Sequence, residues 1–145
     1  MRVLVQKVLK SSVTVDGELI NKIGPGLNVL VGFTEGDTSK EIDFMVKKVV
    51  NLRIFDDENG VMNKSVLDTQ GEILSISQFT LYGDAKKGNR PSYIKALKSD
   101  LAKPLYEEFN NKLNEYVPTY GGVFGADMKV EILNDGPTTI FIETE

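Results

Sequence analysis

The sequence of 145 residues contains no cysteine and no histidine. Without cysteine the chain has no disulfide, no thiolate nucleophile and no Cys-ligated zinc or iron–sulfur site. Without histidine it lacks the usual general base near neutral pH and the commonest metal ligand, so no Ser-His-Asp or Cys-His device can be built. Any catalysis must therefore use hydroxyls, carboxylates, amines, backbone amides or a group on the substrate. We expect neither a metal nor a cofactor.

A membrane-spanning run and a basic excess are also missing. The apolar run at 27–33 is far shorter than the ~20 residues that cross a bilayer, and residues 1–7 do not resemble a signal peptide. We therefore expect a soluble, cytoplasmic protein with no membrane partner. The net charge is −4, from 17 basic and 21 acidic residues, whereas proteins that wrap nucleic acid usually carry a basic excess. The charge argues against binding DNA or long RNA, and leaves room for a small contact with the end of a strand.

The chain has no linker, charge block or internal repeat, so we predict one domain, residues 1–145. Asp16-Gly17 predicts a two-residue hairpin turn. Runs rich in β-forming residues predict strands at 2–8, 12–15, 27–33, 53–55, 72–82, 129–133 and 139–143.

Two helices are predicted between these strands. The first begins near Thr38, where Glu41 completes a capping box, and runs to residue 52. The second spans residues 99–116, and its apolar stripe steps by four along Leu101, Leu105, Phe109 and Leu113. The order of elements predicts an α+β domain in which two main helices pack on a curved sheet.

Polar residues interrupt the strand predicted at 72–82. Strand alternation places Ser77 and Phe79 on one face. Gln78 and Thr80 fall on the other face. Burying such side chains costs free energy unless each finds a hydrogen-bond partner. The segment is thus either a half-exposed strand with polar groups facing water, or a site.

Three loops leave similar alternatives open. Lys86, Lys87 and Arg90 form the only dense basic patch, which either holds one or two phosphates or is a solvated loop before a helix. The glycine-rich segment 121–128 either lets backbone approach a ligand or makes a sharp bend. Gly136-Pro137 lies between two predicted strands. It either brings rigid backbone close to a ligand or is an ordinary hairpin turn.

Seven motifs follow one another along the chain: MRVLVQKV at 1–8, SVTVDG at 12–17, MNKSVLD at 62–68, SQFTLYGD at 77–84, KGNRPS at 87–92, FGADM at 124–128 and NDGPTT at 134–139. Together they resemble the bacterial-type D-aminoacyl-tRNA deacylases almost end to end. Two positions depart from that family. Lys7 stands where the family usually has Arg, and a lysine cannot reproduce the two-point bonding of a guanidinium. Gly121-Gly122 replaces the usual Thr-Gly.

The resemblance implies an enzyme that hydrolyses the ester between a D-amino acid and the 3′-terminal ribose of tRNA, as proofreading in translation. It also implies action on mischarged glycyl-tRNA, a barrel-like sheet with flanking helices, and a homodimer whose sites are completed in trans. Gly136-Pro137 would be a cis peptide that enters the partner's site and rejects L-amino acids. The implied catalytic residues are Ser77, Gln78, Phe79 and Thr80, and the implied substrate-binding residues are Phe124, Met128, Lys86, Lys87, Arg90, Gly136 and Pro137.

The residues leave two mechanisms open. Thr80 is a covalent nucleophile activated by a lysine or carboxylate, or it is part of a pocket in which backbone N–H groups near Phe79 and Thr80 hold the oxyanion. In the second mechanism the vicinal ribose hydroxyl assists, and positioning replaces a triad. We prefer the second because no plausible base lies near Thr80 in sequence. A module that only caps tRNA ends without hydrolysis is the competing class of function.

Overall fold

Two strands of 14 and 15 residues organise the fold of the computed structural model, which describes residues 1–144. The elements follow the chain as β1 (Arg2–Val15), β2 (Glu18–Ile23), β3 (Gly26–Gly32), α1 (Ser39–Asn51), β4 (Phe55–Asp56), β5 (Met62–Lys64), β6 (Glu72–Ser77), a 3₁₀ helix (Phe79–Tyr82), α2 (Ser99–Asn114), β7 (Thr119–Gly121) and β8 (Lys129–Glu143). Neither of the two α-helices in residues 1–144 is long and apolar enough to cross a membrane.

The main sheet runs in the order β2-β1-β3-β6-β7, and β8 pairs with the other edge of β1. The β1 pairings are antiparallel, whereas β6 is parallel to both β3 and β7. The amide of Asn21 in β2 donates to the Gly121 carbonyl of β7 at 2.6 Å, which brings the two ends of the strand order together. The result is a nearly closed, barrel-like mixed sheet with two helices, which confirms the predicted fold class.

The first helix forms as the sequence predicts. The Thr38 hydroxyl accepts from the Lys40 N–H, and the Glu41 carboxylate accepts from the Thr38 N–H, which completes the capping box. Its apolar face is buried along Ile42, Met45, Val46, Val49 and Val50.

The stripe predicted for α2 is wrong at its first position, because Leu101 is 56% exposed. Steps of four residues drift around a helix of 3.6 residues per turn, by about 120° between Leu101 and Leu113. The buried face follows steps of four, three and four instead, through Ala102, Tyr106, Phe109 and Leu113. The helix also ends at Asn114, two residues earlier than predicted.

Several predicted strand limits need correction. The strands predicted at 2–8 and 12–15 are one strand, β1, and the short strand at 53–55 is Phe55–Asp56. The strand predicted at 72–82 ends at Ser77, and the chain continues into the 3₁₀ helix. The predicted alternation of faces across Ser77 to Thr80 therefore does not apply. The Asp16-Gly17 turn is confirmed, with φ of 50° and 77°.

The region around Gly136-Pro137 is a bulge within one strand rather than a turn between two. Gln6 pairs with Thr139 and Val8 pairs with Asn134, so residues 135–138 stand opposite Lys7 alone. Pairing resumes on both sides because β1 supplies a continuous partner edge. The Gly136–Pro137 peptide bond is cis, and both residues are exposed.

Candidate active site

A cleft of about 550 Å³ opens where the parallel strands β3 and β6 end side by side, with Val31 opposite Ser77. Its walls come from the ends of these strands, the segment before α2, and the segment that leads from β7 into β8. The lining residues are 31–33, 76–79, 93, 96–99, 102, 124–128 and 130. The carboxyl ends of parallel strands are a frequent place for ligand binding, because the chain must leave the sheet there in loops.

Five of the predicted site residues line this cleft: Ser77, Gln78, Phe79, Phe124 and Met128. The sequence separates the first three from the last two by 45 residues or more, and the fold brings them to the walls of one cleft. Thr80 is the second residue of the 3₁₀ helix but does not line the cleft, and its side chain is exposed. The Thr80 hydroxyl accepts a hydrogen bond from the Gln78 amide.

The backbone of the 3₁₀ helix packs closely on the end of β3. The Gln78 N–H donates to the Val31 carbonyl at 2.7 Å. A Cβ at Gly32 would lie 2.8 Å from the Gln78 carbonyl oxygen, so only glycine permits this approach. As the first residues of the 3₁₀ helix, Phe79 and Thr80 have N–H groups without an intrahelical acceptor. Within residues 1–144 neither N–H donates a hydrogen bond elsewhere.

An exposed aromatic pair stands at the cleft. Phe79 is 57% exposed and meets the Tyr93 ring edge to face, with 5.2 Å between ring centroids. Such a pair offers a rigid apolar surface to a planar group. The sequence reasoning missed Tyr93, although an aromatic residue two positions after Pro91 in a polar loop was a usable signal.

The predicted basic residues lie outside the cleft. Lys86, Lys87 and Arg90 are exposed on a loop that is closed at its base by two hydrogen bonds between the backbones of Asp84 and Ser92, each 2.8 Å. The base of the loop adjoins Tyr93 in sequence. The loop is therefore next to the cleft without lining it.

Gly136 and Pro137 also lie outside the cleft of their own chain. Gly136 lies six positions along β8 from Val130, which lines the cleft, and six steps of extended strand span about 20 Å. Lys7 is only 7% exposed, and its ammonium lies 3.8 Å from the Asp135 carboxylate, directly before Gly136. Within residues 1–144 this is the one ion pair that Lys7 makes.

Two tyrosines near the cleft keep their protons at neutral pH. Burial raises the pKa of Tyr82, which ends the 3₁₀ helix, and burial likewise raises the pKa of Tyr106 in α2. No group of three or more acidic side chains is placed to hold a metal ion within residues 1–144. No carboxylate or amine in that range hydrogen-bonds the Thr80 hydroxyl. The cleft itself offers backbone amides and hydroxyls, together with the ammonium of Lys98 and the carboxylate of Asp127, which is paired with Lys129.

Tyr106 ties the two walls together and was missed as a site residue. Its hydroxyl donates to the Ser75 carbonyl at 2.7 Å and accepts from the Gly122 N–H at 3.2 Å. Its ring lies 5.9 Å from the Phe124 ring. Tyr106 lies outside the apolar stripe that the sequence predicted for α2, and no local signal marks its partners.

Comparison with known proteins decides the family. Residues 4–143 match the family described as D-Tyr-tRNA(Tyr) deacylase. The chain belongs to this family. It is 58% identical to the D-aminoacyl-tRNA deacylase of Bacteroides fragilis and 54% identical to that of Parabacteroides distasonis, in both cases over 100% of this chain and 98% of the relative. The predicted membership in the deacylases, a family of hydrolases, is thereby confirmed.

Two solved structures share the fold of this deacylase family member. A protein titled c-Myc DNA Unwinding Element Binding Protein is 46% identical, with a TM-score of 0.95 over 100% of this chain and 99% of that one. A probable eukaryotic D-amino acid tRNA deacylase has a TM-score of 0.83 over 97% of each chain. At 17% identity the second likeness concerns the fold alone.

Proposed function

We propose that the protein hydrolyses the ester bond that joins a D-amino acid to the 3′-terminal ribose of tRNA, and releases the amino acid and the tRNA. The observation that carries this proposal is the segment 77–80 at the cleft, with two backbone N–H groups left free, in a chain of this family. The same site would accept mischarged glycyl-tRNA. Such an enzyme serves as a chirality proofreader in the cytoplasm.

The geometry favours substrate-assisted hydrolysis over a covalent intermediate on Thr80. A nucleophilic hydroxyl needs a base that takes its proton, and within residues 1–144 no carboxylate or amine hydrogen-bonds the Thr80 hydroxyl. The ester is already activated, and the ribose hydroxyl next to it can assist the attack. The N–H groups of Phe79 and Thr80 then stabilise the oxyanion, a role in which one donor is worth ~10²–10³ in rate.

The protein surface beside the cleft has a chemistry that suits the end of a tRNA. Phe79, with Tyr93 at its edge, would pack against the terminal adenine. Lys86, Lys87 and Arg90 would meet the terminal phosphates, as point charges and as a fork. Reading only the last nucleotides is compatible with a net charge of −4. That charge weighs against a high affinity for duplex DNA.

We assign the rejection of L-amino acids to Gly136-Pro137 of a second copy of the chain. L and D esters differ in the direction in which the side chain leaves Cα, so a rigid wall in the L direction discriminates better than a pocket that merely accepts D. This bulge is exposed and lies outside the cleft of its own chain, which suits a role in a partner's site in a symmetric dimer. Glycine, without a side chain, would pass the wall.

The decisive experiment incubates catalytic amounts of the protein with D-Tyr-tRNA, L-Tyr-tRNA and Gly-tRNA. We expect release of D-Tyr and Gly while L-Tyr-tRNA stays intact. Binding of D-Tyr-tRNA without release would support a module that only caps tRNA ends, and would refute the enzyme.

A second pair of measurements separates the two mechanisms. Thr80→Ala should keep substantial activity, whereas D-Tyr-tRNA that ends in a 2′-deoxyribose should resist cleavage. Loss of activity in Thr80→Ala together with cleavage of the deoxy substrate would restore Thr80 as the nucleophile.

A further inference from the structure

The guanidinium of Arg2 holds the far end of the 3₁₀ helix. Its Nη1 donates to the Leu81 carbonyl at 2.8 Å, and its Nε donates to the Glu143 carboxylate. The guanidinium carbon lies 4.4 Å from the centre of the Tyr82 ring and 6.0 Å from that of Phe141. One side chain of β1 thus contacts the 3₁₀ helix by a hydrogen bond and by a cation–π contact, and is itself anchored by β8.

We propose that Arg2 is a positioning residue for catalysis, which fixes the 3₁₀ helix so that the N–H groups of Phe79 and Thr80 stay aimed at the oxyanion. This inference rests on the function proposed above. Carbonyls at the end of a helix have no intrahelical donor, and within residues 1–144 Arg2 supplies the donor for Leu81. At its other end the helix is held by the Gln78 N–H on Val31. Without Arg2, the hydrogen bond from the Gln78 N–H to the Val31 carbonyl would be the main polar restraint on the 3₁₀ helix.

A lysine cannot replace Arg2 in this role. The planar guanidinium bonds a carbonyl and a carboxylate through different nitrogens while its face covers an aromatic ring. An ammonium is a compact point charge, so it would meet either Glu143 or the Leu81 carbonyl in good geometry. The requirement is for the shape of the donor group as well as its charge.

The chain contains a matched control in Arg53. Its Nε donates to the Asn63 carbonyl at 3.1 Å, and a second nitrogen donates to the Asn63 side chain. It therefore also fastens a backbone segment, the strand β5, through a carbonyl, but it does not line the cleft. Arg53→Lys and Arg53→Ala make the same chemical change at a position that does not line the cleft.

The experiment compares kcat, KM and melting temperature for the wild type and the Lys and Ala variants of both arginines, with D-Tyr-tRNA as substrate. We expect both Arg2 variants to lose about 10- to 100-fold in kcat, because a small misplacement of catalytic groups costs that much. KM should stay unchanged, since the oxyanion exists only in the transition state. Millimolar methylguanidinium should restore part of the kcat of Arg2→Ala. The Arg53 variants should keep the wild-type kcat, and methylguanidinium should not change it.

Wild-type kcat in both Arg2 variants, an equal loss in the Arg53 variants, or no rescue by methylguanidinium would each overturn the inference. If Arg2→Ala does not fold, Glu143→Gln serves instead, because it keeps the arginine and removes its anchor; a kcat loss smaller than that of Arg2→Lys is expected, and no loss counts against the inference. Failure of the proposed function is seen separately, as a wild type that does not release D-Tyr.

Discussion

Removal of the Tyr106 hydroxyl should loosen the cleft without unfolding the protein. The hydroxyl bonds the Ser75 carbonyl, two residues before Ser77, and the Gly122 N–H, two residues before Phe124. Tyr106→Phe cuts both bonds and leaves the ring in place beside Phe124. The two walls would then be joined by ring packing and by the direct bond from the Gly122 N–H to the Ser75 carbonyl at 3.3 Å.

The expected loss of stability is about 1–2 kcal/mol, because two hydrogen bonds of ordinary net strength disappear and the remaining donor and acceptor still satisfy each other. For a chain of this size that corresponds to a melting temperature lower by about 3–7 °C. Burial raises the pKa of Tyr106, so the stability contributed by the neutral phenol is present below the ordinary tyrosine pKa and is lost as the pH rises above it. The difference between Tyr106→Phe and the wild type should therefore shrink above about pH 10.

Calorimetry and steady-state kinetics test this reasoning together. We expect KM for D-Tyr-tRNA to rise while kcat changes little, because the wall at 124–128 would contact the substrate equally in the ground and transition states. Ser65→Ala is the matched control. The Ser65 hydroxyl accepts from the Asp68 N–H in the segment that leads into β6, away from the cleft. Its removal should lower the melting temperature and leave KM unchanged. An unchanged melting temperature in Tyr106→Phe, or an equal rise of KM in the control, would refute the argument.

Three further expectations concern other parts of the chain. Gly136→Ala should lower kcat/KM for D-Tyr-tRNA and Gly-tRNA alike, because φ is +120° and a Cβ would lie 2.6 Å from the Thr138 hydroxyl; wild-type values would contradict this. Neutralising a charge of the loop 86–90 that meets phosphate should reduce the salt slope of tRNA binding by about one, and unchanged slopes in every single variant would return the loop to solvent. The Thr38 N–H holds the pKa of Glu41 below its ordinary 4.5, so this carboxylate stabilises the fold above that pH and the benefit is lost as the pH falls. In melts taken at decreasing pH, the advantage of the wild type over Glu41→Ala should disappear, and a constant advantage would contradict the assignment.

The sequence predicted features that depend on neighbouring residues and missed those that depend on distant ones. The capping box at Thr38 and the turn at Asp16-Gly17 follow from a few adjacent side chains, and both are present. Residues 79–82, by contrast, combine strand-forming types such as Phe, Thr and Tyr, yet they form a 3₁₀ helix. Tertiary context overrides strand propensity there, because Gly32 admits the backbone and Arg2 binds the Leu81 carbonyl from 79 positions away.

The site was predicted in the same uneven way. The motif resemblance singled out Ser77 to Phe79 together with Phe124 and Met128, and these residues do line one cleft. It also grouped Gly136 and Pro137 with them, but these two residues do not line the cleft of their own chain. Local composition made these two residues a hairpin turn, whereas the long partner edge of β1 carries the strand through them as a bulge.

The pairing of β1 with β8 has a consequence for how the protein is made. One edge of β1 pairs with β2 and β3, which follow it closely in the sequence. The other edge pairs with β8, which starts roughly 110 residues after β1 ends. At synthesis rates of about 5–20 residues per second, that edge emerges from the ribosome and remains open for roughly 6–23 s. An open apolar strand edge is a template for pairing with other chains. We therefore expect the nascent chain to aggregate or recruit chaperones during this interval, and truncation of β8 to yield insoluble protein even though Val130 is the one residue of β8 that lines the cleft.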